Sequence, residues 1–360
     1  MTTLTSLTSA ELDTLAGDLQ VSRRALDTLA ASDVIDLHID TFIPVRLWGY
    51  DIAQRHGPGW QGGRFFGHLD LPRMEQSGLT GAMWSITTNP LRSAAGRWRT
   101  LLRNATAFQA MVDATEGRLR TVRDLRGYRA ARVDGAQGVM PAVQGGHALS
   151  GAPKDELDAW LAKRWLTRVT LVHLIDSVLG STSSPLSLRP SGGLTDAGRE
   201  LVYTLNRHRV FVDLAHINAQ GFWDAVSIHD AEQPLIATHT GVTGVTPHWR
   251  NLDDKQVRAI ADTGGVVGVI FAANFLGRRG GPRDVRCVLE HMQHVIDAGG
   301  EACAAIGSDY DGAIVPPGGM RDGLGYPRLV QGMLDQGWTP ERIRRVLGAN
   351  ALEAFGRLRP

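Results

Sequence analysis

The sequence predicts a single (β/α)8 barrel, a TIM barrel, and three observations predict it. Eight short apolar runs of strand character recur along the 360 residues, most of them followed by a segment with helical apolar spacing. His, Asp and Gln residues close those runs, and barrels of this kind carry their functional groups at the C-terminal strand ends. No G-x-G-x-x-G follows the first strand and no P-loop is present, so the doubly wound open sheet, the main alternative, lacks its usual fingerprint.

In chain order, Leu12, Leu15, Leu19, Leu26 and Leu29 stand at helical spacing between Ser9 and Ala31. They predict an N-terminal helical extension over about residues 1–31. The first strand is Val34 to Asp40. After it, residues to about Gly67 form a Gly-, Trp- and Arg-rich stretch read as an irregular loop, and a loop of that length is usually a lid or binding loop. Further strands are expected at Gly81–Ile86, Val139–Gln144, Val169–His173, Val210–His216, Leu235–His239, Gly265–Phe271 and Ala304–Asp309. Between them the spacing predicts helices over Trp98–Glu116, Asp155–Arg164, Thr195–Arg207, Asp253–Thr263 and Asp284–Ala298. Thr195 and Asp253 are capping residues by type and place. Gly318 to Gly325 reads as a flexible loop, and Thr339–Phe355 as a closing helical segment. No repeat, low-complexity tract or linker divides the chain, so residues 1–360 read as one domain.

Bulk composition excludes several classes. Lys and Arg number 38 against 37 Asp and Glu, a formal charge of +1, which offers no electrostatic case for nucleic acid or an anionic membrane. Cys287 and Cys303 follow no C-x-x-C spacing and suggest no disulfide framework. The N-terminus lacks a basic region followed by an apolar core, and no apolar run approaches the ~18 residues of a membrane span. A soluble cytoplasmic protein is expected.

Side chains two apart on a strand share a face, so His38 and Asp40 in Val-Ile-Asp-Leu-His-Ile-Asp can converge on one point. Gln144 ends the third run, His173 the fourth, His216 the fifth, His239 the sixth and Asp309 the eighth. Neutral imidazoles and carboxylates hold one or two Zn²⁺ ions, and bound water drops from a pKa of ~16 to about 7. Asp309 beside such a water can take its proton and pass it to a leaving amine. His173 can hydrogen-bond an oxygen that becomes negative. Arg250, in Pro247-His-Trp-Arg-Asn, can pair with a substrate carboxylate or be an ordinary surface Arg. His56, His68, His147, His208, His229, His248, His291 and His294 are assigned to the surface or to a supporting layer.

These motifs, in this order, resemble those of the membrane (renal) dipeptidase family, zinc peptidases related to the amidohydrolase barrels. The resemblance runs from Ile35-Asp-Leu-His-Ile-Asp through Leu69-Asp-Leu-Pro-Arg-Met, Gly78-Leu-Thr-Gly-Ala-Met-Trp-Ser, Gln144-Gly-Gly-His and Leu171-Val-His. It continues through Gly193-Leu-Thr-Asp-Ala-Gly, Val212-Asp-Leu-Ala-His, Ile236-Ala-Thr-His, Arg250-Asn, Ile306-Gly-Ser-Asp-Tyr-Asp-Gly and Gly348-Ala-Asn-Ala-Leu. It implies that His38, Asp40 and Asp309 hold one zinc, that His216 and His239 hold a second, that His173 polarises the substrate and that Arg250 binds its terminal carboxylate. It further implies hydrolysis of dipeptides, often with a D-residue at the C-terminal position, and a homodimer.

One position departs from the family pattern. Its bridging ligand is a glutamate followed by Gly-Gly-His, and here Gln144 stands there. Gln144 offers one good donor oxygen and no charge, which leaves Asp40 and Asp309 as the only anions against two ions of +2 each. Three readings follow: a hydrolase with one metal or a weakly held second, a divergent member acting differently on an amino-acid-derived metabolite, or a non-catalytic binding protein.

Overall fold

Apolar runs that are covered on both faces form parallel strands, and the computed structural model, which describes residues 4–57, 62 and 64–360, contains nine of them. They are β1 (Ile35–Ile39), β2 (Gly81–Thr87), β3 (Leu119–Thr121), β4 (Gln137–Gln144), β5 (Arg168–Thr170), β6 (Phe211–Asp213), β7 (Ile236–Thr240), β8 (Val266–Val269) and β9 (Ala304–Ile306). Eight close a parallel ring in the order β2-β1-β9-β8-β7-β6-β5-β4. The ring closes where β4 pairs back to β2, from Gly81↔Gly138 to Thr87↔Gln144. The sequence-based expectation of an eight-stranded barrel holds. β3 was not expected. It pairs with the first residues of β4 and adds to the ring rather than belonging to it.

Several ladders end earlier than the apolar runs, and the reason bears on the site. His216 and Asp309 take left-handed backbone conformations, with φ of 67° and 62°, which no strand can continue. The register also shifts between Asp36 and Ile39 in β1 and between Ala237 and Thr240 in β7. Such irregularities re-aim side chains, and these two enclose His38 and His239.

Helices cover the ring much as expected. Asp196–Arg207, Asp254–Asp262 and Val285–Gly299 are capped by Thr195, Asp253 and Asp284, whose side chains accept from the N–H groups of Gly198, Gln256 and Arg286. The N-terminal extension is two helices, Ser9–Leu19 and Arg23–Ala30. The stretch expected to be irregular after Asp40 instead contains a helix, Phe42–Trp48, ended by Gly49 at φ 65°. The rest of that stretch includes 58–61 and 63, which lie outside the described residues. The closing segment is Pro340–Arg344, a π turn over Arg345–Ala349 and Asn350–Leu358. The loop around Gly318 is pinned by Tyr310, whose hydroxyl is 2.8 Å from the carbonyls of both Met320 and Asp322.

One large apolar cluster links strands to surrounding helices. A second joins Ile35, Met83, Met140 and Phe211, from the N-terminal halves of strands, to Phe355 of the last helix. That helix covers one end of the barrel, leaving the C-terminal strand ends for chemistry. Among the described residues, no helix is long and apolar enough to cross a membrane.

Candidate active site

The ends of β1 and β9 are tied together by backbone bonds. The Asp40 N–H donates to the Tyr310 carbonyl (2.8 Å), and the Asp309 N–H to the His38 carbonyl (2.9 Å). As a result His38 Nε2 lies 3.6 Å from Asp40 Oδ2 and 3.5 Å from Asp309 Oδ1. The ligand atoms of these three residues all fall within 4.8 Å of one another. Gly312 permits this placement, because a Cβ there would stand 2.2 Å from Asp309 Oδ1.

Beside them, His216 Nε2 is 2.9 Å from His239 Nε2 and 3.5 Å from the Gln144 amide nitrogen. The His38 and His239 rings are 3.8 Å apart, so the two groups form one continuous cluster. The Thr238 hydroxyl donates to Asp213 Oδ2 and therefore accepts from His239 Nδ1–H, at 2.8 Å in each case. That arrangement leaves the His239 Nε2 lone pair facing the cluster.

Burial sets the protonation states. It holds His38, His216 and His239 well below the usual histidine range, so all three are neutral imidazoles, the form that binds metal. Burial also pushes the Asp40 carboxyl up to about 6. Asp309 rises further, through burial first and then the like charge of Asp40. Asp40 Oδ1, Gln144 Oε1 and His216 Nδ1 are buried without a hydrogen-bond partner among the described residues. Buried polar atoms seldom go unpaired. Unpaired oxygen and nitrogen donors around neutral imidazoles fit a divalent, zinc-like cation.

Asp213 also lies within reach of His38 and His239, but its lone pairs are occupied. Oδ2 accepts from Arg168 (2.8 Å), Thr170 (2.6 Å) and Thr238 (2.8 Å), and Oδ1 from the N–H groups of Ala215 and Thr238. Arg168 is fully buried and also bonds Ser85 Oγ at 2.7 Å, while Ser85 Oγ lies 3.3 Å from His38 Nε2. This Arg168–Asp213 pair underpins the histidines, and reading the sequence did not find it. Its signal was an Arg two residues before a Thr on a strand whose alternate residues are apolar.

Above the cluster opens a pocket of about 750 Å³ lined by Asp40, Gln144, His173, His216, Arg250 and Asp309, among others. Every expected site residue thus reaches the pocket or the cluster beneath it. Arg250 is 4% exposed, which rules out the surface reading. It donates to the His239 carbonyl at 2.9 Å, and burial lowers its guanidinium to about 10. His173 stands edge-on to His216 at 4.7 Å and is held near 3 by burial. His147, assigned to the periphery from sequence, is buried, lines this pocket and is pushed down to about 4 by burial. His68 and His291 are buried supports. His68 Nδ1 accepts from the Asp311 N–H, and His291 Nδ1 from that of Val242.

A sequence profile described as membrane dipeptidase, peptidase family M19, matches residues 22–359. The chain belongs to the membrane dipeptidase family. A Klebsiella pneumoniae relative, described as an uncharacterised protein in the pqqA 5′ region, is 32% identical over 254 residues, covering 69% of this chain and 92% of its own. Among solved structures, the M19 metallopeptidase called dipeptidase AC is 31% identical with a TM-score of 0.79, covering 91% of this chain and 98% of that one. A Rhodobacter sphaeroides metallopeptidase carrying a phosphinate mimic of L-Ala-D-Ala is 28% identical with a TM-score of 0.76, over 91% and 99% of the two chains. The family is one of metallo-dipeptidases, and this member has two buried His and Asp groups that could hold a metal ion.

Proposed function

We propose that this protein hydrolyses the amide bond of a dipeptide or similarly small substrate with a free carboxylate, using Zn²⁺. The observation carrying the reading is the convergence of His38, Asp40, Gln144, His216, His239 and Asp309 beneath a pocket whose wall holds a buried Arg250. A bound divalent ion supplies water acidified enough to attack a carbonyl at neutral pH. Arg250 anchors the terminal carboxylate through charge-assisted hydrogen bonds. His173, half-buried and kept neutral by the desolvation of its ring, donates an N–H to the oxygen that gains charge. Asp309 receives the proton of the attacking water and returns it to the departing amine.

Gln144 supports one tightly held ion. A neutral amide contributes no charge to offset repulsion between two cations, and beside His38 only Asp40 and Asp309 remain as anionic ligands. The zinc content of protein equilibrated with Zn²⁺ and freed of loose metal tests this, together with a panel of L,L- and L,D-dipeptides. One ion per chain with dipeptide turnover is expected. Bound zinc without turnover of any dipeptide favours the altered chemistry that a neutral Gln144 permits, and no bound metal refutes the hydrolase reading.

A further inference from the structure

The pocket has a charge pattern that the chemistry above does not use. Its lining contains three arginines, Arg46, Arg92 and Arg250, but only two acids, Asp40 and Asp309, both in the metal-type cluster. Arg46 lies on the helix Phe42–Trp48 after β1, and Arg92 on the segment after β2. Both are exposed and pair with no carboxylate among the described residues. The residues outside the described ones, 1–3, 58–61 and 63, include no Asp or Glu. Both line the same pocket, and desolvation first, then the like charge of Arg92, lowers the Arg46 guanidinium. What sets these two apart is their place: a cleft lined by one sign of charge focuses the field, so Arg46 and Arg92 together form an electrostatic funnel for an anion.

Their place in the ring says which part of a substrate they meet. From β2 to β7 is four steps around eight strands, in the order β2-β1-β9-β8-β7. Arg92, after β2, and Arg250, after β7, therefore flank the cluster from opposite sides. A dipeptide held at Arg250 by its carboxylate, with its amide over the cluster, directs its amino-terminal residue toward Arg46 and Arg92. Ile43, Phe65 and Phe66 line the same pocket and suit the methylenes of a side chain lying between.

We infer that the preferred substrates carry an acidic side chain, Glu or Asp, on the amino-terminal residue, recognised by Arg46 and Arg92. The inference rests on the dipeptidase reading, and the experiment separates the two. Zinc-loaded protein is assayed for kcat/KM on Glu-Ala, its uncharged isostere Gln-Ala, and Lys-Ala. In parallel, calorimetry measures binding of the phosphinate analogues of Glu-Ala and Gln-Ala, which needs no turnover. Two part-exposed charge contacts predict a Glu-over-Gln preference of about fivefold or more, with Lys-Ala poorest. The preference should vanish in the Arg46→Ala/Arg92→Ala double variant and persist in Arg46→Lys/Arg92→Lys. A ratio near one in the native protein, a ratio unchanged in the double Ala variant, or no binding of either analogue overturns the inference. If no dipeptide is cleaved while the phosphinates show the Arg-dependent preference, the hydrolase reading fails and the acidic-ligand inference stands.

Discussion

Gln144→Glu tests the charge argument in both directions. The side chain is buried beside Asp40, and burial lifts that carboxyl from its ordinary 3.8 to about 6. At about 1.4 kcal/mol per tenfold in proton affinity, the same surroundings penalise an ionised carboxyl by about 3 kcal/mol. In metal-free protein the new group should titrate above its unfolded value of ~4.3 when folded, for the same reason of burial. A raised carboxyl costs nothing below the lower value, where both states are protonated, and costs the full amount above the higher one. Urea denaturation of chelator-treated protein should therefore show the variant's deficit against native widening by about 2 kcal/mol between about pH 5 and about pH 8. Zinc should abolish the deficit, because a carboxylate facing cations is favoured in its charged form, and zinc content should rise from one toward two ions per chain. A deficit independent of pH, or zinc content that does not change, would falsify the reasoning about this position.

Four further substitutions probe separate parts of the site. His173→Ala should lower kcat by about 100- to 1000-fold with little change in KM, as expected for a donor acting mainly in the transition state. Arg250→Ala should reduce kcat/KM about 10- to 100-fold for free dipeptides but hardly at all for C-terminal amides; an equal loss for both would remove its assignment as the carboxylate anchor. Gly312→Ala drives a methyl against the Asp309 carboxyl and should weaken zinc about tenfold in a chelator competition. Arg168→Met strands a buried Asp213 and should cost about 3–5 kcal/mol in denaturation experiments, most of it recovered by adding Asp213→Asn. A loss under about 1 kcal/mol would mean that the pair behaves like a surface ion pair.

The parts legible in the sequence are those whose local signal and tertiary role coincide. Buried parallel strands are apolar throughout, so Val139 to Gln144 announced itself, and Thr195 and Asp253 cap helices by chemistry that is local to the chain. β3 gave no such signal, since Leu119–Thr121 is three residues long and owes its strand state to the edge of β4. The helix Phe42–Trp48 was hidden by Pro44 and by a composition typical of loops. His38, Asp40, His216, His239 and Asp309 were legible because strand ends are predictable positions. Arg168 and Asp213 were not, because a buried ion pair is defined by two side chains meeting across different strands. Arg46, Arg92 and His147 escaped for a related reason: which loop residues turn into the pocket depends on the fold of the loops, not on spacing.

The backbone bonds that lock β1 to the end of β9 have a consequence for how the site comes into being. Asp309 lies 269 positions after Asp40, so it is synthesised long after His38 and Asp40. The positions of these three side chains relative to one another are fixed only when the ring has closed. Contacts this distant in sequence form slowly, so an ion bound there would report that the ring has closed. A chain ending before Asp309 lacks that acid, so a metal held at this cluster would mark a correctly closed ring.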